Sequence, residues 1–199
     1  MKADINIKNV LNDKDTLSKL SSKAVKDSYH NFHNFDRRLS NYLNYHIVEY
    51  ENEVIAMAGM FQSKFWPSNF VRVLDRCYYF KKVRSNTLNS YQTGGIATTH
   101  LLPLHIKIAL EKNLIPFFSI AGIKRRAAMK KMIKRWNINH KHKLVLLPKM
   151  YFTCNQNVDE NPNDIFCWQN VAILDVDGYK NFNLPYRELK RNWRFSFTN

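Results

Sequence analysis

The six residues Gln92-Thr93-Gly94-Gly95-Ile96-Ala97 have the composition of a loop that wraps a phosphate. Two adjacent glycines take positive φ at no steric cost and leave no side chain in the way, so successive backbone N–H groups turn into one concavity. A helix opening at Thr98-Thr99-His100-Leu101-Leu102 would aim the positive end of its dipole into the same concavity, where a pyrophosphate is stabilised. A Gly-Gly pair ahead of a helix also serves as an ordinary turn, so the flanking elements have to arbitrate.

Other residues offer chemistry of different kinds. Asp75, inside an apolar strand pattern, is a candidate general base, and an ion pair with Arg72 or Arg76 is its structural alternative. Cys77 on the same strand reads as a core thiol rather than a nucleophile. The pairs His30 with His33 and His140 with His142 have chelating spacings, yet no cysteine or carboxylate cluster accompanies them, and no metal site is expected. His100 and His105 fall in an apolar helix, where a hydrogen-bonded core histidine is the usual explanation. No nucleophile-elbow sequence supports a Ser-His-Asp triad. A second, rival signal is cationic: Lys124, Arg125, Arg126, Lys130, Lys131, Lys134 and Arg135 crowd one helix, and Arg187, Lys190, Arg191 and Arg194 stand among Tyr186, Trp193 and Phe195. That surface suits nucleic acid or an acidic protein; the plainer alternative is a solvated helix face followed by a final strand.

The elements that must position these groups follow from periodicity. Residues 13–43 predict one or two amphipathic helices, with Asp13 or Asp15 as cap and Leu17, Leu20, Ala24 and Val25 near helical spacing. Ile47 to Tyr50, the turn Glu51-Asn52-Glu53 and Val54 to Met60 predict a hairpin. Phe70 to Phe80 is a strand in which Val71, Val73 and Asp75 share one face, opposite Arg72, Leu74 and Arg76. Ile96 to Lys112 is apolar on nearly all sides, as a packed helix is, although Pro103 lies inside it. Ile115 to Ile120 predicts a buried strand, and Ile123 to Trp136 a helix whose apolar face runs through Ile123, Ala127, Met129 or Lys130, Ile133 and Trp136. Leu144 to Thr153 and Ile165 to Asp175 predict two last strands.

With these elements in order, the loop resembles that of the GCN5-related N-acetyltransferases. Their pyrophosphate loop has the form Gln/Arg-x-x-Gly-x-Gly/Ala, and Gln92, Gly95 and Ala97 fill the three specified positions between a strand and an apolar helix. The resemblance extends over 47–175. It implies an α+β, three-layer fold with a mixed, mostly antiparallel central sheet flanked by helices, and acetyl-CoA or another acyl-CoA as cofactor. By the same resemblance Gln92, Thr93, Gly94, Gly95, Ile96 and Ala97 hold the pyrophosphate, while the backbone around Tyr78, Tyr79 and Phe80 takes the pantetheine arm and polarises the thioester. Tyr78 and Asp75 are then the catalytic candidates. The sequence departs from the family in three places. Phe80 to Gln92 is a long interval that implies an insertion, Pro103 interrupts the helix, and Met132 stands after Ala128 where many members carry a tyrosine acid.

Composition bounds the rest. The 199 residues carry no Pro-rich, Ser-rich or repeated linker, so one domain over 1–199 is expected, with a C-terminal extension at 176–199. A net charge of +15 demands acidic surroundings. Three scattered cysteines suggest no disulfide framework, the longest apolar run is too short to cross a bilayer, and the start lacks a signal-peptide core. A cytoplasmic protein is expected. The wealth of Lys, Asn and Ile suits an AT-rich viral genome, for which the compartment is the host cytoplasm. The expected activity is acyl transfer from acyl-CoA to an amine. Its alternative is an inactive module of the same fold that binds nucleic acid or an acidic protein.

Overall fold

A computed structural model describes residues 5–27, 32, 35–62, 68–80, 96–121, 125–147, 150–153 and 166–176. By packing, the chain divides into two compact units, Met1–Gln62 with Val73–Ile108 and Ser63–Arg72 with Ala109–Asn199.

In the first unit, strand β1 (Ile5–Asn9) precedes helix α1 (Lys14–Lys26), a short 3-10 segment spans Asp36–Asn41, and strands β2 (Tyr42–Tyr50) and β3 (Glu53–Phe61) follow. Strand β4 (Phe70–Tyr79) enters this unit at Val73. The cap of α1 is local chemistry: the Thr16 N–H donates to Asp13 Oδ1 at 3.0 Å, satisfying one of the orphan donors at the helix start. Leu17, Ser21 and Ala24 bury one face at helical spacing. The region expected to be helical up to residue 43 is therefore helical to Lys26, and β2 begins already at Tyr42, because Tyr42 and Tyr45 are held by cross-strand partners rather than by helical neighbours. β1 was not anticipated; its five residues are mostly exposed and its apolar alternation is limited to Ile5 and Ile7. The β2–β3 turn has positive φ at Glu51 (50°) and Asn52 (61°), the handedness that lets a two-residue loop follow the twist of its strands.

Helix α2 (Leu102–Glu111) is preceded by one π-helical turn, Ala97–Leu101, in which the Leu102 N–H reaches back five residues to the Ala97 carbonyl. This explains how Pro103 is tolerated. A proline ring clashes with the carbonyl four residues earlier in a regular α-helix, and the widened turn moves that carbonyl aside. At its other end α2 stops on Asn113, at φ 55°, with the Leu114 N–H donating to the Ala109 carbonyl at 2.8 Å, a left-handed cap made with asparagine instead of glycine.

The second unit holds β5 (Ile115–Ala121), α3 (Arg126–Asn139), β6 (Lys143–Leu146), β7 (Met150–Thr153) and β8 (Phe166–Asp175). Residues 144–153, read from sequence as one strand, form β6 and β7, which pair with different stretches of β8. Helix α3 buries Met129, Ile133 and Trp136 and leaves Ala127 and Lys130 exposed, so its apolar stripe is narrower than expected. Ile123 and Lys124 lie outside the described residues, as does the C-terminal extension.

Hydrogen bonding orders the strands β1-β2-β3-β4-β5-β8-β6, with β7 also on β8. The β4–β5 pair, Phe70↔Ile115 to Arg72↔Phe117, is parallel; β1–β2, β2–β3, β5–β8, β6–β8 and β7–β8 are antiparallel. The sheet is thus mixed and mostly antiparallel, and in the first unit helices cover both of its faces. Leu17 and Ala24 of α1 pack with Tyr45, Ile47, Met57 and Tyr78, while Ile96 and Leu101 pack with Val48, Ile55, Ala56 and Ala58 on the opposite side.

Candidate functional site

Strand β4 does not keep its alternation. Val71, Val73 and Asp75 are buried in step, and then Arg76 and Tyr78 are buried in the opposite phase. The switch coincides with positive φ at Leu74 (53°) and Arg76 (48°), two residue types that take this conformation only under outside constraint. An irregularity of this kind adds a residue to one face, so Asp75 and Arg76 both reach the α1 side. The sequence expectation that Arg76 opposes Asp75 is corrected by this bulge, which no period-two pattern registers.

On the α1 side the two charged residues are enclosed by rings. The Tyr42 hydroxyl donates to Asp75 Oδ2 at 2.5 Å, and the Tyr45 hydroxyl donates to the Arg76 carbonyl at 3.3 Å. Burial holds the Tyr45 hydroxyl well above its usual pKa, so it stays protonated and able to donate. The Arg76 guanidinium lies over Phe35 at 5.2 Å and Phe32 at 6.0 Å from the ring centroids. Its Nη1 is buried with no hydrogen-bond partner, and it is the one such side-chain atom among the described residues. Asp75, expected to form an ion pair or to act as a base, accepts this hydrogen bond from Tyr42. The Tyr78 hydroxyl donates to Asp27 Oδ2 at 2.7 Å, at the C-terminal end of α1. Phe80 is buried beside Tyr78, with Lys23 Nζ 4.9 Å above its ring. Gly59 makes room for this arrangement, since a Cβ there would overlap the rings of both Tyr42 and Tyr45.

The other face of β4 carries Leu74, Cys77 and Tyr79. Here the Leu74 N–H donates to His105 Nδ1 at 3.3 Å, and His105 Nε2 lies 3.1 Å from His46 Nδ1. A backbone N–H can only donate, so His105 Nδ1 accepts, its proton resides on Nε2, and that proton is given to His46 Nδ1. Both rings are buried, and burial lowers the pKa of His46 to about 4 and of His105 to about 3, so both are neutral near pH 7. Burial also pushes the Cys77 thiol up to about 11, which leaves no thiolate to act as a nucleophile.

The phosphate-loop candidates divide. Ile96 and Ala97 are buried and already in helical conformation. Gln92, Thr93, Gly94 and Gly95 lie outside the described residues. In the cationic helix, Arg126 is committed to structure: its Nη1 donates to Asn170 Oδ1 at 3.3 Å and its Nη2 to the Leu147 carbonyl at 3.0 Å. Arg125, Lys130, Lys131, Lys134 and Arg135 are exposed. His140 stacks on Trp136 at 3.6 Å, and no group of three metal-ligating side chains exists among the described residues. No helix among them is long and apolar enough to cross a membrane.

Sequence reasoning singled out Asp75 but missed Arg76, Tyr42, Tyr45 and Gly59. Tyr42 and Tyr45 lie 33 and 31 residues from their partners on β4, and nothing local marks them.

Neither a protein-family model nor a curated protein sequence matches the chain. Solved structures do. An IAA acetyltransferase from Bacillus cereus aligns over 86% of this chain and 98% of its own, at 9% identity and a TM-score of 0.55. A ribosomal-protein-alanine N-acetyltransferase from Brucella melitensis aligns over 84% and 98%, at 15% identity and 0.52. The diaminobutyrate acetyltransferase EctA from Paenibacillus lautus, solved with its substrate and coenzyme A, aligns over 86% and 95%, at 9% identity and 0.51. The chain has the fold of the GCN5-related N-acetyltransferases, in a divergent form.

Proposed function

We propose that this protein is an acyl-CoA-dependent N-acyltransferase that moves an acyl group, acetyl in the simplest case, directly onto an amine. One observation carries the reading. The motif Gln92-x-x-Gly95-x-Ala97 follows β4 in the chain and leads into the helical segment Ala97–Leu101, in a fold whose solved neighbours include an acetyltransferase holding coenzyme A. A helix that follows such a loop suits the group, because its N-terminal N–H groups and positive dipole end stabilise a pyrophosphate.

The acyl-CoA supplies an activated thioester carbonyl. The protein's own residues do the rest. Residues 92–97 bind the pyrophosphate through backbone N–H groups, and the backbone of Tyr78, Tyr79 and Phe80 lines the pantetheine arm. Their side chains are left to the core, where Tyr78 and Phe80 are buried. Asp75, inside a ring of tyrosines, takes the proton that the attacking amine must lose, and the Tyr42 hydroxyl orients its carboxyl group. As the amine nitrogen bonds to the carbonyl carbon, the C–S bond breaks and the sulfur leaves as a thiolate. Met132 offers that thiolate no proton.

Calorimetry with acetyl-CoA and with CoA tests the reading. Binding of both is expected, and Gly95→Trp should abolish it by filling the loop with an indole. No binding by the intact protein at millimolar acetyl-CoA would sink the reading in its acetyl form.

A further inference from the structure

The geometry points to a carboxylate-binding site at Arg76: the acceptor is an amine that also bears a carboxylate, and Arg76 holds that carboxylate beside Asp75. The inference rests on the transfer reading above for the word acceptor; the site itself rests on Arg76 alone.

Arg76 is only 9% exposed, and its Nη1 is sealed from water with no acceptor. A guanidinium in that position has lost its hydration, and a buried charge is normally paired or neutralised. Arginine does not escape by losing a proton. Contacts with Phe35 and Phe32 return part of the lost hydration, yet rings offer no lone pair to an N–H. Asp75 is next in sequence and on the same face, but its Oδ2 is taken by Tyr42, and Nη1 stays unpaired. Evolution removes such an atom easily, since methionine or leucine fills the same space at less cost. Its presence on a bulge that itself demands positive φ marks a group kept for something that arrives from outside.

The chemistry of the missing partner follows from what surrounds Arg76. Phe35 and Phe32 approach the guanidinium at 5.2 and 6.0 Å with their rings inclined at 62° to each other, and Nη1 is left with N–H groups that lack an acceptor. A planar carboxylate meets a guanidinium edge through two parallel hydrogen bonds. The enclosing rings of Phe32, Phe35, Tyr42 and Tyr45 favour a small monoanion over a doubly charged, strongly hydrated phosphate. Asp75, bearing the opposite charge on the adjacent residue, meets the amine end of the same ligand and accepts its proton. An amino acid or the end of a peptide has both groups.

Two measurements on the full chain test the site. In thermal melts without ligand, Arg76→Met should raise Tm, because it removes a buried unpaired charge; an arginine kept only to brace the aromatic rings would lower Tm when replaced. With wild-type protein, the twenty L-amino acids should raise Tm where their C-terminal amides do not, and Arg76→Met should abolish the difference. Transfer is then followed as CoA thiol release from acetyl-CoA, with amino acids, their amides and short peptides as acceptors and inorganic phosphate as a competing anion. Free carboxylates should be used at least about 30-fold better than amides, and Arg76→Lys should lose a comparable factor. Peptides outperforming free amino acids would assign the carboxylate to a chain terminus. Amides as good as acids, phosphate displacing the amino acids, a fall in Tm for Arg76→Met, or acetyl-CoA binding with no turnover of any carboxylate-bearing amine would overturn the inference. Failure of acetyl-CoA to bind, with Arg76-dependent stabilisation by amino acids intact, would instead remove the transfer reading and leave the site.

Discussion

The two faces of β4 bury polar groups in opposite ways. On the α2 side the Leu74 N–H, His105 and His46 form a chain in which each donor named has an acceptor, and both rings are neutral. On the α1 side Asp75 and Arg76 are charged residue types enclosed by aromatic rings, and one nitrogen of Arg76 has nothing to bond. The first pattern is what stability selects, since buried donors and acceptors cost little once paired. The second costs stability in the isolated protein, and such costs concentrate where a ligand must be met. The bulge at Leu74–Arg76 links the two. His105 braces the Leu74 backbone from one side, and the same distortion turns Arg76 into the rings on the other.

The pH dependence of stability gives the largest expected effect and tests whether the histidine side is neutral as a unit. The unfolded histidines titrate near 6.5, the folded ones near 4 and 3, so below about pH 6.5 the unfolded chain binds protons that the folded chain refuses. Stability is therefore full above pH 7 and is lost as pH falls. From pH 7 to pH 5 the pair should cost about 4 kcal/mol, measured by urea unfolding at the two values. A slope no steeper in wild type than in a His46→Gln, His105→Asn double variant would break the claim.

Next in size is Gly59→Ala, which should destabilise by about 3 kcal/mol because its Cβ overlaps Tyr42 and Tyr45 on the crowded side only. A crystal structure of that variant should show both tyrosines displaced, with the His46–His105 contact unchanged. His105→Leu should cost about 2 kcal/mol by stranding the Leu74 N–H, and His105→Asn should recover part of it by restoring an acceptor near Nδ1. Equal losses for the two variants would mean that shape, not hydrogen bonding, matters there. Smallest is Tyr42→Phe, at about 1.5 kcal/mol for one bond to a carboxylate. Chemical denaturation reads that loss. An unchanged denaturation midpoint would show that Tyr42 does not hold the carboxylate.

Much of the scaffold was legible in the sequence because it rests on local rules. Asp13 caps α1 through a residue three positions on, Glu51 and Asn52 form the hairpin turn between two apolar runs, and the buried faces of α1 and α3 follow helical spacing. The end of α1 at Lys26 and the start of β2 at Tyr42 were not legible, since Tyr42 and Tyr45 have aromatic and polar partners supplied by Phe35, Phe61, Asp75 and Arg76. The candidate site was half legible. Asp75 and the loop at 92–97 stood out by residue type and context, whereas Arg76 was assigned to the wrong face because a strand pattern assumes strict alternation.

By itself the sequence determined the order of helices and strands, the mixed α+β character and the loop pattern Gln92-x-x-Gly95-x-Ala97. These depend on propensity, periodicity and glycine, which act over a few residues. Tertiary structure alone decided that Asp75 and Arg76 share a face, that His46 meets His105 across 59 residues and that Gly59 must lack a side chain. Such features arise where distant segments compete for the same space, and the bulge in β4 settles that competition at a backbone cost that only the assembled packing can offset.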